Sequence, residues 1–139
     1  MIIFQAGAQP IYFRHYQVEN GLANNTVYAI FQDDRQFMWI GTKEGLCRFD
    51  GNVFKTFNMS SDTKDNSSEF VYHITEGVHQ TLWIGTRKGL YEFNPQSEKF
   101  RLINESVGYE VLNVEPDEKG NIWFTAGQNV YRYNGYTKT

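Results

Sequence analysis

Short apolar runs recur along this chain, separated by turns rich in Gly, Asp and Asn. The run VYAIFQ is followed by the polar turn DDRQ and then by a second run, FMWIGT. Runs of this length bounded by turn residues predict β-strands rather than helices. We predict four strands in the first unit, joined by hairpins with Gly at the turns: strand A at Val27–Gln32, strand B at Phe37–Thr42, strand C at Leu46–Phe49 and strand D at Val53–Phe57.

The same arrangement recurs around the three tryptophans, Trp39, Trp83 and Trp123, which lie 44 and then 40 residues apart. Aligned on them, the sequence reads FMWIGTKEGLCRFDG, TLWIGTRKGLYEFNP and NIWFTAGQNVYRYNG. The B strands are apolar at successive positions, which predicts that both faces of each sheet are covered. A four-stranded repeat of about 40 to 45 residues is typical of β-propeller blades. We therefore predict an all-β fold, a partial propeller of about three four-stranded antiparallel blades.

The repeated segment WIGTxxGL has two interpretations, a phosphate-binding loop and a structural unit. No helix follows it on which a phosphate could be bound, so the structural interpretation is favoured. The tryptophans would fill the space between blades, and the glycines would allow close approach and sharp turns. The residues predicted to be structural are Trp39, Gly41, Gly45, Trp83, Gly85, Gly89 and Trp123.

The N-terminal sequence MIIFQAGAQP indicates export. Ala6-Gly7-Ala8 is a small-x-small pattern typical of signal-peptide cleavage, although a basic segment and a full apolar run are missing. We expect the tail of a signal peptide and a periplasmic protein; the alternative is a disordered terminus. The predicted organisation is a signal-peptide remnant at 1–8, an outer strand and lead-in loop at 9–26, blade 1 at 27–59, a linker at 60–69, blade 2 at 70–104 and an incomplete blade 3 at 105–139.

Composition limits the possible partners. A net charge of -3 gives no bulk attraction to nucleic acid, and no segment approaches the roughly 18 apolar residues of a membrane span. Cys47 is the only cysteine, so neither an intrachain disulfide nor an all-cysteine metal site is expected. We predict no metal and no cofactor.

Catalysis is not expected either. Acid–base chemistry needs two carboxylates converging in a pocket, whereas the acids of the chain lie mostly in A–B turns, where we interpret them as solvated. His73, on a predicted strand A, is interpreted as a satisfied or lining histidine. The acids concerned are Asp33, Asp34, Glu76, Asp117 and Glu118.

The pattern Asp-x5-Trp-Ile-Gly-Thr-x2-Gly-Leu-x2-Phe-[Asp/Asn] resembles the two-component regulator propeller repeat. The segment HYQVENGLANNTVYAIFQDD resembles the start of such a sensor's first propeller. The resemblance extends over roughly residues 11 to 139 and weakens in the third copy, where Thr125 and Asn129-Val130 depart from the pattern. It implies the first portion of a periplasmic, glycan-detecting sensor of a hybrid two-component system. We expect a truncated product or excised piece without the kinase and receiver domains.

In propellers of this kind the D–A and B–C loops share one face, where small ligands usually bind. Amide and charged groups there suit sugar hydroxyls or uronate carboxylates. Two functions stay open: a sensor for an oligo- or polysaccharide, and a protein-interaction or assembly module without a small ligand. The candidate ligand-binding residues are Asn24, Asn25, Lys43, Glu44, Arg87, Lys88, Gln128 and Asn129.

The N-terminal segment also predicts self-association through open blade edges. Ile11–Tyr16 precedes the first strand A, yet its YFRHY matches the D strands VFKTF and KFRLI. Blade 3 has only Tyr136–Thr139 left to form its own D strand. The first and last blades would expose apolar faces, which soluble monomers seldom do on this scale. We predict that one copy's N-terminal strand completes another copy's third blade, as in a dimer forming a six-bladed ring.

Overall fold

The computed structural model of the protein describes residue 7, residues 10–59 and residues 69–134. These residues form eleven strands in three antiparallel sheets that follow one another along the chain. Blade 1 contains β1 (Val27–Gln32), β2 (Met38–Thr42), β3 (Gly45–Phe49) and β4 (Phe54–Phe57). Blade 2 contains β5 (Val71–Glu76), β6 (Leu82–Thr86), β7 (Leu90–Asn94) and β8 (Lys99–Leu102). Blade 3 contains β9 (Val114–Pro116), β10 (Ile122–Ala126) and β11 (Asn129–Tyr133).

The helices of the described residues are single 3-10 turns, at Val18–Asn20, Val78–Gln80 and Asn104–Ser106. The predicted all-β fold with three consecutive antiparallel units is confirmed. Blade 3 has three strands within the described part of the chain. Three predicted segments lie outside the described residues: the signal-peptide remnant at 1–8 except residue 7, most of the linker at 60–69, and the D strand at Tyr136–Thr139.

The threonine of the repeated WIGT closes the hairpin between the second and third strands. Thr42 Oγ1 donates to the carbonyl of Gly45 at 3.0 Å, and Thr86 Oγ1 donates to that of Gly89 at 2.9 Å. Gly45 has a φ of +114°, a conformation that side-chain-bearing residues rarely adopt. The repeated motif therefore has a local structural function that needs no ligand.

The blades stack face to face, and two of the tryptophans fill the spaces between them. Trp39 is fully buried in a cluster shared by blades 1 and 2. Trp83 is 6% exposed and belongs to a second cluster, shared by blades 2 and 3. Trp123 differs, because it is 41% exposed and no sheet of the described part covers its side. Within the described residues, the face of β10 that carries Trp123 is therefore not covered.

The glycine after each buried Trp-Ile pair allows the backbones of adjacent blades to approach. A Cβ on Gly41 would lie 2.6 Å from Val71 Cγ1, and a Cβ on Gly85 would lie 2.5 Å from the carbonyl oxygen of Val111. Both distances are too short for a side chain. The corresponding residue of blade 3 is Thr125, which does carry a Cβ.

Asp33 is a buried structural acid, and its interpretation as a solvated turn residue is wrong. Its Oδ2 accepts a hydrogen bond from Trp39 Nε1 at 2.9 Å, and its Oδ1 accepts one from the backbone N–H of Phe37 at 2.9 Å. A buried carboxylate needs such donors to offset its lost hydration. Asp117 accepts likewise from Trp123 Nε1 at 3.0 Å. The hydrogen bond from the Asn121 side chain, followed by the one from Trp123, lowers the pKa of Asp117 to about 2.

Blade 2 carries Gly77 where the other blades carry these aspartates. A Cβ at Gly77 would lie 2.6 Å from Trp83 Nε1. The ring of Trp83 thus occupies space that a side chain at this turn would need.

Candidate functional site

The B–C loops of blades 1 and 2 are each fixed to the chain entering the first strand of the same blade. The N–H of Lys43 donates to the carbonyl of Thr26 at 3.0 Å, and the N–H of Arg87 donates to that of Phe70 at 3.0 Å. The first strands β1 and β5 lie side by side. Two of the predicted ligand-binding residues, Lys43 and Arg87, therefore lie on one loop face at the junction of the two blades.

Three aromatic rings occupy this junction, and we call them the aromatic cluster: Tyr28, Phe70 and Tyr72. The ring centroid of Tyr28 lies 5.8 Å from that of Phe70 and 5.4 Å from that of Tyr72. Lys43 Nζ lies 5.8 Å from the centroid of Phe70, and Arg87 Cζ lies 5.2 Å from it. Two cations from different blades thus lie near the same ring, within the distance of cation–π attraction.

One acid borders the aromatic cluster. Glu110 Oε1 accepts a hydrogen bond from Tyr72 Oη at 3.4 Å and lies 4.0 Å from Arg87 Nε. Burial, followed by the negative charge of Glu110, raises the pKa of Tyr72 above its usual value. The phenol therefore stays protonated at neutral pH. The site combines aromatic surface, the phenol hydroxyls of Tyr28 and Tyr72, and two cations.

The other predicted ligand-binding residues have different environments. Asn24 Oδ1 accepts from the N–H of Thr26 at 2.7 Å, and Asn25 Oδ1 accepts from the N–H of Val18 at 2.8 Å, so both amides order the lead-in loop. Glu44 is exposed beside Lys43, and Gln128 and Asn129 are exposed at the β10–β11 turn.

Lys88 points inward rather than toward a ligand. Its Nζ lies 2.7 Å from Oε1 of Glu69, a side chain that is 5% exposed. Burial, and then the charge of Glu69, raise the pKa of nearby Tyr91 to about 12. A buried lysine–carboxylate pair beside a buried phenol is typical of a structural network.

His73 joins blades 2 and 3. Its Nδ1 accepts a hydrogen bond from the N–H of Val114 at 3.1 Å, which requires the neutral imidazole. Burial lowers the pKa of His73, and the carboxylate of Glu115 opposes that shift. The interpretation as a satisfied histidine agrees with this geometry. Among the described residues, no three His, Cys, Asp or Glu side chains gather to bind a metal, and no helix is long and apolar enough to cross a membrane.

Sequence reasoning missed the aromatic cluster, although a signal for it exists. Tyr28 and Tyr72 occupy the same repeat position, directly after the valine that begins each first strand. An aromatic residue within a strand is normally assigned to the core. The signal for the cluster is that a tyrosine recurs at the same position of β1 and β5.

Comparison with known proteins supports the repeat assignment. Residues 21–44 match the family model described as the two-component regulator propeller. The histidine kinase P4 of Formosa agariphila is 38% identical over 45 residues, which are 32% of this chain and 3% of that protein.

Solved structures show the same architecture. The extracellular domain of a hybrid two-component system from B. thetaiotaomicron superposes with a TM-score of 0.79 at 24% identity, over 89% of this chain and 17% of that one. A second such domain from the same organism has a TM-score of 0.65 at 27% identity, over 80% of this chain and 17% of that one. The predicted two-component regulator propeller repeat is confirmed over residues 21–44, and the predicted fold is confirmed. The chain spans only a small part of each of these relatives.

Proposed function

We propose that this chain is part of the extracellular, periplasmic sensing portion of a two-component regulator, and that its loop face binds an oligo- or polysaccharide bearing carboxylates without transforming it. The observation that carries this proposal is the placement of Lys43 and Arg87, from two different blades, over the ring of Phe70 in the aromatic cluster. The similarity to extracellular domains of hybrid two-component systems supports the sensing function.

The chemistry of the site favours an acidic sugar. The exposed ring of Tyr28 and the half-buried rings of Phe70 and Tyr72 offer apolar surface to the C–H face of a pyranose. Binding sites typically combine such surface with a few polar groups. The guanidinium of Arg87 can bind a carboxylate through two parallel hydrogen bonds, and Lys43 adds a second, compact charge. The hydroxyl of Tyr28 supplies a donor for a sugar oxygen, whereas that of Tyr72 already donates to Glu110 and can accept a hydrogen bond from a sugar hydroxyl.

Calorimetric titration with oligogalacturonides and with neutral malto-oligosaccharides tests the proposal. We expect binding of the acidic series and a loss of about tenfold in affinity for Arg87→Met, the effect of one charge-assisted hydrogen bond. Lys119→Met is the matched control, because Lys119 is an exposed cation in the β9–β10 turn. Tyr28→Ala should weaken any carbohydrate binding. Equal titration of Arg87→Met and Lys119→Met would contradict the assignment of the site.

The alternative, a protein-interaction or assembly module without a small ligand, rests on a separate observation. Ile30 and Val130 are 69% and 67% exposed on sheet faces rather than in loops. If no oligosaccharide binds while the chain associates through these faces, the assembly function is the better description.

A further inference from the structure

Glu110 occupies the repeat position that Phe70 occupies one blade earlier. Val71 lies against the glycine of the WIGT motif in blade 1, and Val111 lies against that of blade 2. Phe70 and Glu110 are the residues directly before these two valines. The same place at two successive blade junctions therefore holds an aromatic ring in one case and a carboxylate in the other.

This difference changes what the cation of the B–C loop meets at each junction. Lys43 Nζ of blade 1 lies 5.8 Å from the centroid of the Phe70 ring. Arg87 holds the corresponding position of blade 2, and its Nε lies 4.0 Å from Glu110 Oε1. One cation of the candidate site thus faces an uncharged ring, whereas the other already has a carboxylate beside it.

Two backbone hydrogen bonds hold the segment around Glu110 against the B–C loop of blade 2. The N–H of Gly108 donates to the carbonyl of Lys88 at 3.0 Å, and the N–H of Val111 donates to that of Thr86 at 2.9 Å. The two accepting carbonyls belong to the residues on either side of the loop's arginine. The backbone therefore sets the carboxylate opposite the guanidinium, whatever the two charged side chains contribute.

The charged side chains themselves are held only weakly. Those of Arg87 and Glu110 are 59% and 56% exposed, and exposed ion pairs contribute little because water competes for both groups. The carboxylate also accepts from Tyr72 Oη at 3.4 Å, which is a long hydrogen bond. Glu110 can therefore leave Arg87 by a rotation of its own side chain, with no change in the backbone.

We propose that Glu110 is a specificity-determining residue of the loop face: its carboxylate occupies the place of a ligand carboxylate at Arg87 and is displaced when an acidic ligand binds. This inference rests on the proposed function, because it concerns how the same site selects its ligand. An acidic ligand replaces the contact that Glu110 gives up, whereas a neutral sugar has no group to exchange for it. Displacement also frees the Tyr72 hydroxyl to donate to a ligand oxygen.

Removing the charge of Glu110 should favour acidic ligands. Glu110→Gln keeps the length of the side chain but offers Arg87 a neutral oxygen, which binds a guanidinium less strongly than a carboxylate does. The affinity for oligogalacturonides should rise about threefold, the size expected for one exposed charge pair. Malto-oligosaccharides should show no gain. Glu118→Gln is the matched control, because it removes the same charge from an exposed residue in the β9–β10 turn.

The same substitution in an Arg87→Met background separates displacement from simple repulsion between Glu110 and the ligand. If Glu110 competes for the guanidinium, its removal should give no gain in affinity once the guanidinium is absent. If Glu110 only repels the ligand, the gain should persist in this background, and that result would overturn the proposal.

Nuclear magnetic resonance tests the displacement without a sugar. The Nε–H resonance of Arg87, assigned by its loss in Arg87→Met, should shift in Glu110→Gln and stay in place in Glu118→Gln. Sodium acetate should then move this resonance at a concentration about threefold lower in Glu110→Gln than in the parent, since one exposed charge pair no longer competes. Sodium chloride at the same ionic strength is the reference.

The two measurements distinguish this inference from the proposed function. An acetate response of the expected kind without any binding of oligosaccharide would contradict the proposed function and still support displacement at Arg87. An Arg87 resonance that does not respond to Glu110→Gln would overturn the displacement. So would a measured oligogalacturonide affinity that stays the same or falls in this variant.

Discussion

At the scale of single residues, the three tryptophans occupy one repeat position but different environments. Trp39 is fully buried between two blades, whereas Trp123 is 41% exposed. We expect Trp39→Ala to cost about 3–5 kcal/mol in the free energy of unfolding, the usual range for emptying a large aromatic site. Trp123→Ala should cost far less. Urea denaturation of the parent and of the two variants measures both costs. Equal losses would contradict the assigned burial.

His73 gives the junction of blades 2 and 3 a dependence on pH. Its neutral Nδ1 accepts from the N–H of Val114, and burial holds the pKa of the folded state below 6.5. The unfolded chain therefore binds a proton more readily, so this stabilisation is fully present above pH 6.5 and is lost as pH falls through the lowered pKa. Relative to His73→Gln, the parent's stability advantage should shrink on acidification. An advantage that grows below neutral pH would contradict the assignment.

Some features of the candidate site could be predicted from the sequence, and others could not. Lys43 and Arg87 could be predicted because B–C loops share a face in a propeller. The inward direction of Lys88 could not, because it depends on Glu69, which is distant in the sequence and buried. The aromatic cluster joins β1 of one blade to the start of β5 in the next. Contacts between repeats are not visible in a pattern read within one repeat.

At the scale of the elements, strand positions were predictable because turn chemistry fixes them. The predicted strand A and the observed β1 coincide at Val27–Gln32, and β2 begins one residue later than predicted. The turn aspartate Asp33 was misjudged. Its burial follows from the position of the indole six residues later, a side-chain contact that strand patterns do not encode.

The close approach of the blades predicts strong sensitivity to one methyl group. Gly41→Ala would place a Cβ 2.6 Å from Val71 Cγ1 and 2.8 Å from the carbonyl oxygen of Val71. We expect a cost of about 1–3 kcal/mol, as for overpacking elsewhere, since one contact is with backbone. Thr125→Ser is the control, because a Cβ already exists there and the hydroxyl that accepts from the N–H of Asn113 is kept. If thermal denaturation gives equal shifts for the two variants, the close approach of the blades is wrong.

At the scale of the whole molecule, stability should be unevenly distributed among the blades. In stacked repeats each unit contacts only its neighbours, so the number of covered faces determines how firmly a unit is held. Blade 2 contributes to both large apolar clusters, whereas blades 1 and 3 each contribute to one of these two. Blade 1 has a smaller cluster of its own around Leu22, Ile40 and Cys47.

Amide hydrogen exchange should report this order directly. We expect the slowest exchange in β6 and β7 of blade 2, intermediate rates in β2 and β3, and the fastest in β10 and β11, because local opening is easiest where few apolar contacts are lost. Uniform protection across the three blades would show that the chain opens as one cooperative unit and that the uncovered faces of blades 1 and 3 do not lower their local stability.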